Sequence, residues 1–162
     1  MNKFRLPAIW RLILSIAVCQ LAGLVGSIFT TPTIPTWYAS LNKPSFNPPN
    51  WLFGPVWIFL FVLMGVSLFL VWRERSDIPH VKPALLIFGL QLALNVLWSA
   101  VFFGLKSPIG GFIVIVVLWV AIFTTILRFR KVSELASILL IPYIVWVTFA
   151  GILNFAIFHL NR

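Results

Sequence analysis

The chain has 162 residues, 61% of them hydrophobic and 9% charged, with a formal net charge of +9 and a mean hydropathy of +1.05. Such values exclude a soluble globular domain and describe an integral membrane protein. The positive charge is scattered over short connections without a basic fold, which excludes nucleic acid as a partner and leaves anionic lipid headgroups as the natural one.

Apolar runs of about 20 residues, the length needed to cross a bilayer, recur at 12–30, 51–72, 84–104, 108–127 and 135–158. They predict one all-α domain over 1–162, a bundle of five transmembrane helices at roughly 8–30, 51–72, 84–104, 108–128 and 135–158, with a Pro-rich lid loop at 31–50. Lys3, Arg5 and Arg11 precede the first run, as in a signal peptide. Its apolar core of about 18 residues lacks a small-x-small cleavage pattern and exceeds the usual h-region, so the reading is a retained helix. Five spans put the termini on opposite sides. Lys3, Arg5, Arg11, Arg73, Arg75, Lys82, Arg128, Arg130 and Lys131 then share one face, against Lys43, Lys106 and Arg162 on the other. The positive-inside rule makes the first face cytoplasmic, in a cell membrane of bacterial type. Cys19, the single cysteine, lies in the first run and reads as a small hydrophobe.

Between the first two runs stands "WYASLNKPSFNPPNWLFGPVW", residues 37–57. Pro44, Pro48 and Pro49 restrict the backbone and remove donors, which predicts a stiff, non-helical lid. Trp37 and Trp51 suit the interfacial belt. Pro55 falls in the first turn of the second helix, and Trp57, Phe61, Met64 and Gly65 continue from it at helical spacing.

In the third run, Gln91, Asn95, Trp98, Ser99 and Phe102 form one stripe, and Gly89, Ala93, Ala100 and Gly104 another on the opposite side. The polar stripe is expected to face the bundle interior, where amides find partners. The small stripe, Gly89, Ala93 and Ala100 above all, is expected to seat a second subunit in a homodimer, because small residues let helix backbones approach in lipid. The fourth run adds Trp119 and Phe123. The fifth, "IPYIVWVTFAGILNF", adds Tyr143, Trp146, Ala150 and Asn154, with Pro142 as a kink near its start.

No Asp, Glu, Lys, Arg or His lies within the cores of these runs, which disfavours a proton-coupled or charged-substrate transporter. His80 and His159 fall on opposite faces, so neither a metal cluster nor a Ser–His–acid arrangement is expected. Bulky aromatics with a few neutral polar groups suit a flat, mostly apolar ligand such as a tetrapyrrole or a sterol. On this reading Ser99 and Trp119 join the ligand-binding set.

The stretch at 37–57 followed by "LMG" at 63–65, "QLALNVLWSAVFFGL" at 91–105 and "IPYIVWVTFAGILNFAIF" at 141–158 resembles the TspO / translocator protein family, also called the peripheral benzodiazepine receptor or tryptophan-rich sensory protein family. The resemblance implies a dimeric five-helix bundle, its cavity roofed by the long loop. It implies a receptor or sensor for protoporphyrin IX, sterols or other lipids, and isoquinoline carboxamide or benzodiazepine drugs. The matching pocket positions are Tyr38, Trp57, Phe61, Asn95, Trp98, Trp146 and Ala150. Trp57 and Trp146 match the tryptophans tied to light- and oxygen-dependent porphyrin degradation, so they would be catalytic if that reaction occurs; tetrapyrrole or lipid transport is the other alternative. No cofactor is required, and porphyrin enters as ligand. The family's sterol pattern departs here to Phe155 and His159, with Arg162 beyond, so sterol binding is not inferred from it.

Overall fold

The computed structural model describes residues 7–74 and 79–162. Lys3, Arg5, Arg75 and Asp77 lie outside the described residues. The described chain is helical with no strand: α1 (Ala8–Thr33, continued by a π-helical turn Ile34–Tyr38), α2 (Asn50–Trp72), α3 (Val81–Ser99, continued by a π-helical turn Ala100–Gly104), α4 (Pro108–Arg130), α5 (Glu134–Ile138) and α6 (Ile141–Leu160). Taken with their continuations they make five segments long and apolar enough to span a membrane. The chain is therefore an integral membrane protein built as the all-α bundle that the apolar runs predict.

α1 packs on α2 and α3, while α4 packs on α3 and α6 and meets the short α5. Large apolar side chains such as Leu86, Ile113 and Val145 point outward, as expected where lipid rather than water is the solvent. Local start signals are plain at α4 and α5. Ser107 accepts the amide of Gly110 at 3.1 Å ahead of Pro108, and Ser133 accepts that of Ala136 at 3.3 Å.

The first helix runs further than the expected 8–30. Pro32 and Pro35 do not break it. The hydroxyls of Thr33 and Thr36 donate to the carbonyls of Phe29 (2.7 Å) and Pro32 (3.0 Å), and the widened turn at Ile34–Tyr38 absorbs Pro35. The segment Ala8–Tyr38 spans 31 residues, roughly 46 Å at 1.5 Å per residue. Its far end therefore reaches past the hydrocarbon, and the non-helical lid shortens from 31–50 to residues 41–49. Pro55 likewise lies inside α2, which begins at Asn50, rather than in its first turn. Trp37 packs edge-on against Phe102 at 5.5 Å and is half-buried, whereas Trp51 is exposed as an interfacial anchor would be.

The last span is two helices, not one over 135–158. Pro142, in the first turn of α6, has no N–H to offer the carbonyl of Ile138, and the chain breaks at Leu139–Leu140. The carbonyl of Ala136 is instead taken by the Ser67 hydroxyl of α2 at 2.6 Å.

In the half of the bundle away from the lid, packing is close. A Cβ on Gly65 would stand 2.5 Å from the Ile16 Cα, so only glycine lets α1 and α2 approach there. Phe88 and Phe129 stack at 5.5 Å between α3 and α4. On the outside of α3, Gly89 and Ala93 are exposed and nothing stands within 4 Å of where a Gly89 Cβ would be; Ala100 is half-buried. Gly104, from the same stripe, faces Phe29 of α1 instead.

Candidate functional site

In the lid half, α1 and α2 part around a cavity of about 480 Å³. α1 lines it with Gln20, Gly23, Gly26, Ser27, Thr30 and Ile34, and α2 with Phe53, Gly54, Trp57 and Phe61. The far wall comes from Asn95, Trp98, Ser99 and Phe102 of α3 and from Ala150, Leu153, Asn154 and Ile157 of α6. The lining holds no Asp, Glu, Lys, Arg or His.

One wall is a row of tilted rings. Phe61 stacks on Trp57 at 5.6 Å, Trp57 stands 6.4 Å from Trp98, and Trp98 stacks on Phe102 at 5.6 Å, with interplanar angles of 30°, 33° and 22°. Hydrogen bonds fix that row from behind. The Trp98 indole N–H donates to Asn154 Oδ1 at 3.1 Å, and Asn154 Nδ2 donates to the carbonyl of Pro108 at 2.7 Å. Asn95 Nδ2 donates to the Tyr143 hydroxyl at 2.9 Å, and the Tyr143 ring meets Trp57 edge-on at 6.3 Å. The wall thus keeps its orientation without side-chain freedom to lose on binding.

At its lid end the cavity is lined by Ile34 and Tyr38 from the continuation of α1. Tyr38 is buried there and donates its hydroxyl to Asn47 Oδ1 at 2.8 Å, while the Lys43 ammonium lies 5.1 Å over the Tyr38 ring and donates to the carbonyl of Leu41 at 2.8 Å. A reciprocal pair ties the lid to the end of α6: the Asn42 amide donates to Asn161 Oδ1 at 2.9 Å, and Asn161 Nδ2 returns to the Asn42 carbonyl at 2.8 Å. Sideways, the cavity is open. Leu24, Ser27 and Thr31 of α1 and Trp51, Gly54 and Ile58 of α2 line it yet are exposed, so the gap between these helices faces the bilayer. Gln20 closes the seam below by donating to the Ile58 carbonyl at 3.0 Å.

Of the residues expected to bind ligand, Tyr38, Trp57, Phe61, Asn95, Trp98, Ser99 and Ala150 come together around this one cavity. Trp119 and Trp146 do not line it. Trp119 sits on the outer face of α4, 36% exposed, stacked on Phe123 at 5.5 Å and donating to Thr148 Oγ1 at 2.8 Å. α4 is apolar all round, so its stripes alone do not say which faces inward; the inward one carries Ile115, Leu118 and Ile122. Trp146 shares a stripe with Ala150, but Phe53 of α2 stands beside it at 6.0 Å and takes the lining position. The α1 wall and Asn154 were absent from the expected site. The signal for the α1 wall was present as Gln20, Gly23, Ser27 and Thr30, small or polar residues three and four apart in an otherwise apolar helix.

A model of the TspO/MBR family matches residues 15–160. The chain is 46% identical over 161 residues to the tryptophan-rich protein TspO of Chlorobaculum tepidum, covering 99% of each chain. It is 34% identical to the tryptophan-rich sensory protein of Cereibacter sphaeroides, over 94% of this chain and 92% of that one. To the human translocator protein it is 37% identical, over 88% of this chain and 85% of the other. Resemblance along nearly the whole chain, on top of five spans and an aromatic cavity beneath a Pro-rich lid, means that the protein belongs to the TspO/MBR family.

Proposed function

We propose that this membrane protein is a receptor or sensor that binds a flat, largely apolar ligand of the porphyrin class, protoporphyrin IX being the first to test, in the cavity walled by α1, α2, α3 and α6 at the lid end of the bundle. The observation that carries the reading is the continuous row Phe61–Trp57–Trp98–Phe102, with interplanar angles between 22° and 33°. Such a row offers an extended face for a planar π-system, and neutral groups at its rim, Asn95 and Ser99 among them, select orientation rather than charge. Isoquinoline carboxamide and benzodiazepine drugs share that shape and polarity. The side opening suits a ligand that partitions first into the bilayer. Homodimerisation through the small residues Gly89, Ala93 and Ala100 of α3 belongs to the same reading.

The test is a titration of purified protein with protoporphyrin IX, followed by the shift of the porphyrin's own Soret band. Trp98→Ala and Asn95→Ala are expected to weaken binding roughly tenfold, a loss of about 1.4 kcal/mol. Trp119→Phe, on the outer face of α4, leaves binding unchanged. Binding that ignores Trp98→Ala, or that Trp119→Phe weakens equally, puts the ligand elsewhere.

A further inference from the structure

At the end of the bundle opposite the lid, the last turns of α4 form a shallow groove lined by Thr124, Leu127, Arg128, Arg130 and Lys131. Three cations meet there, and no carboxylate lines the groove; Glu134 follows three residues after Lys131 on α5. The α4 C-terminus contributes a partial negative charge of about a half. Even counting Glu134 in full, the local balance stays positive by more than one charge. The other cations described on this end of α1 and α2 have partners: Arg11 lies 5.9 Å over the Trp72 ring, and Arg73 pairs with Glu74 at 3.4 Å.

The surface continuing from the groove toward mid-membrane is apolar. At 100° per residue Val117, Val120 and Leu127 fall on the same side of α4 as Thr124, Arg128 and Lys131, and all three are exposed to lipid. A charged end joined to an apolar strip on one helix face has the polarity of a single phospholipid. We infer that this groove is a specific site for an anionic phospholipid. Its phosphate is held by Arg128, Arg130 and Lys131, and an acyl chain lies along Leu127 and Val120. Arginine suits this task because its planar fork matches phosphate oxygens two at a time. The inference is separate from the cavity, which lies in the other half of the bundle.

Spin-labelled phosphatidylglycerol and phosphatidylcholine, compared in reconstituted membranes, test it. The protein is expected to hold the anionic lipid several-fold more strongly than the zwitterionic one. The triple variant Arg128→Gln, Arg130→Gln, Lys131→Gln should bring that ratio close to one. Lys82→Gln, an exposed cation on the same end of the bundle, should leave it unchanged. Equal loss in Lys82→Gln would mean a diffuse surface charge, and retention in the triple variant would place the site elsewhere; either overturns the inference. Release of the labelled lipid by millimolar inorganic phosphate, at matched ionic strength, would make this an anion site without lipid specificity and overturns it as well. All three substituted side chains are exposed, so the variants should fold.

Discussion

The two halves of the bundle use the same helices in opposite ways. Away from the lid, α1 and α2 approach backbone to backbone at Gly65 and Ile16, and rings such as Phe88 and Phe129 fill the space between α3 and α4. Toward the lid, beyond the Gln20–Ile58 bond, the same two helices part and aromatic side chains line a space instead of filling it. The polar groups follow a different division. Around the cavity Asn95, Trp98 and Asn154 are paired across helices, whereas Gln91, one turn from Asn95, has neither amide atom paired although its side chain is buried. The difference teaches that side-chain hydrogen bonds orient the cavity wall, while in the other half close packing, joined by the Ser67 bond to the Ala136 carbonyl, brings the helices together.

Substitutions at matched positions can break that contrast, and the largest effect is expected at a glycine. Gly65→Ala should cost roughly 3 kcal/mol or more in thermal unfolding in detergent, because the added methyl meets the Ile16 backbone. Gly54→Ala, with nothing within 4 Å, should leave stability unchanged or raise it by less than about 1 kcal/mol. Next comes Asn154→Leu, which removes two hydrogen bonds at once. It should cost about 1–2 kcal/mol of stability and also weaken porphyrin binding, since Trp98 loses the acceptor that sets its ring. Asn161→Ala should leave the melting temperature nearly unchanged yet speed ligand exchange a few-fold in stopped-flow measurements, because it removes the reciprocal pair with Asn42 and leaves the lid held to α6 chiefly by Phe46 against Phe149. The smallest change belongs to Gln91→Met, expected to be neutral or slightly stabilising, since an unpaired buried amide is replaced by an apolar chain of similar length. A clear loss of stability there would show that the amide is paired after all and would blur the division between the halves.

Much of this was legible in the residues themselves. Five apolar runs fixed the number of spans, because a bilayer admits only helices of about that length from such a sequence. The stripe Gln91, Asn95, Trp98, Ser99, Phe102 is expected to face inward, and it does, with Trp98 half-buried at the cavity and the other four buried, because a polar side chain facing lipid would go unpaired. The end of the first helix was less legible: Pro32 and Pro35 fall in the expected lid loop 31–50, but threonine hydroxyls and a widened turn carry the helix through them, a local repair that a rule about proline alone does not contain. Pro142 stands next to a full break at Leu139–Leu140 rather than a kink; there the Leu140 amide turns to the Ser137 carbonyl, and Ser67 from α2 takes the Ala136 carbonyl left without it.

By itself, then, the sequence determined the class, the number of spans and those wall positions marked by a polar residue among apolar ones. Only the tertiary structure decided that Trp119 faces outward and that Phe53 stands where Trp146 was expected. The physical reason is that lipid and protein interior are equally apolar, so hydrophobicity cannot rank the faces of α4 or α6. What ranks them is the shape of the neighbouring helix, and that is known only once the helices are packed.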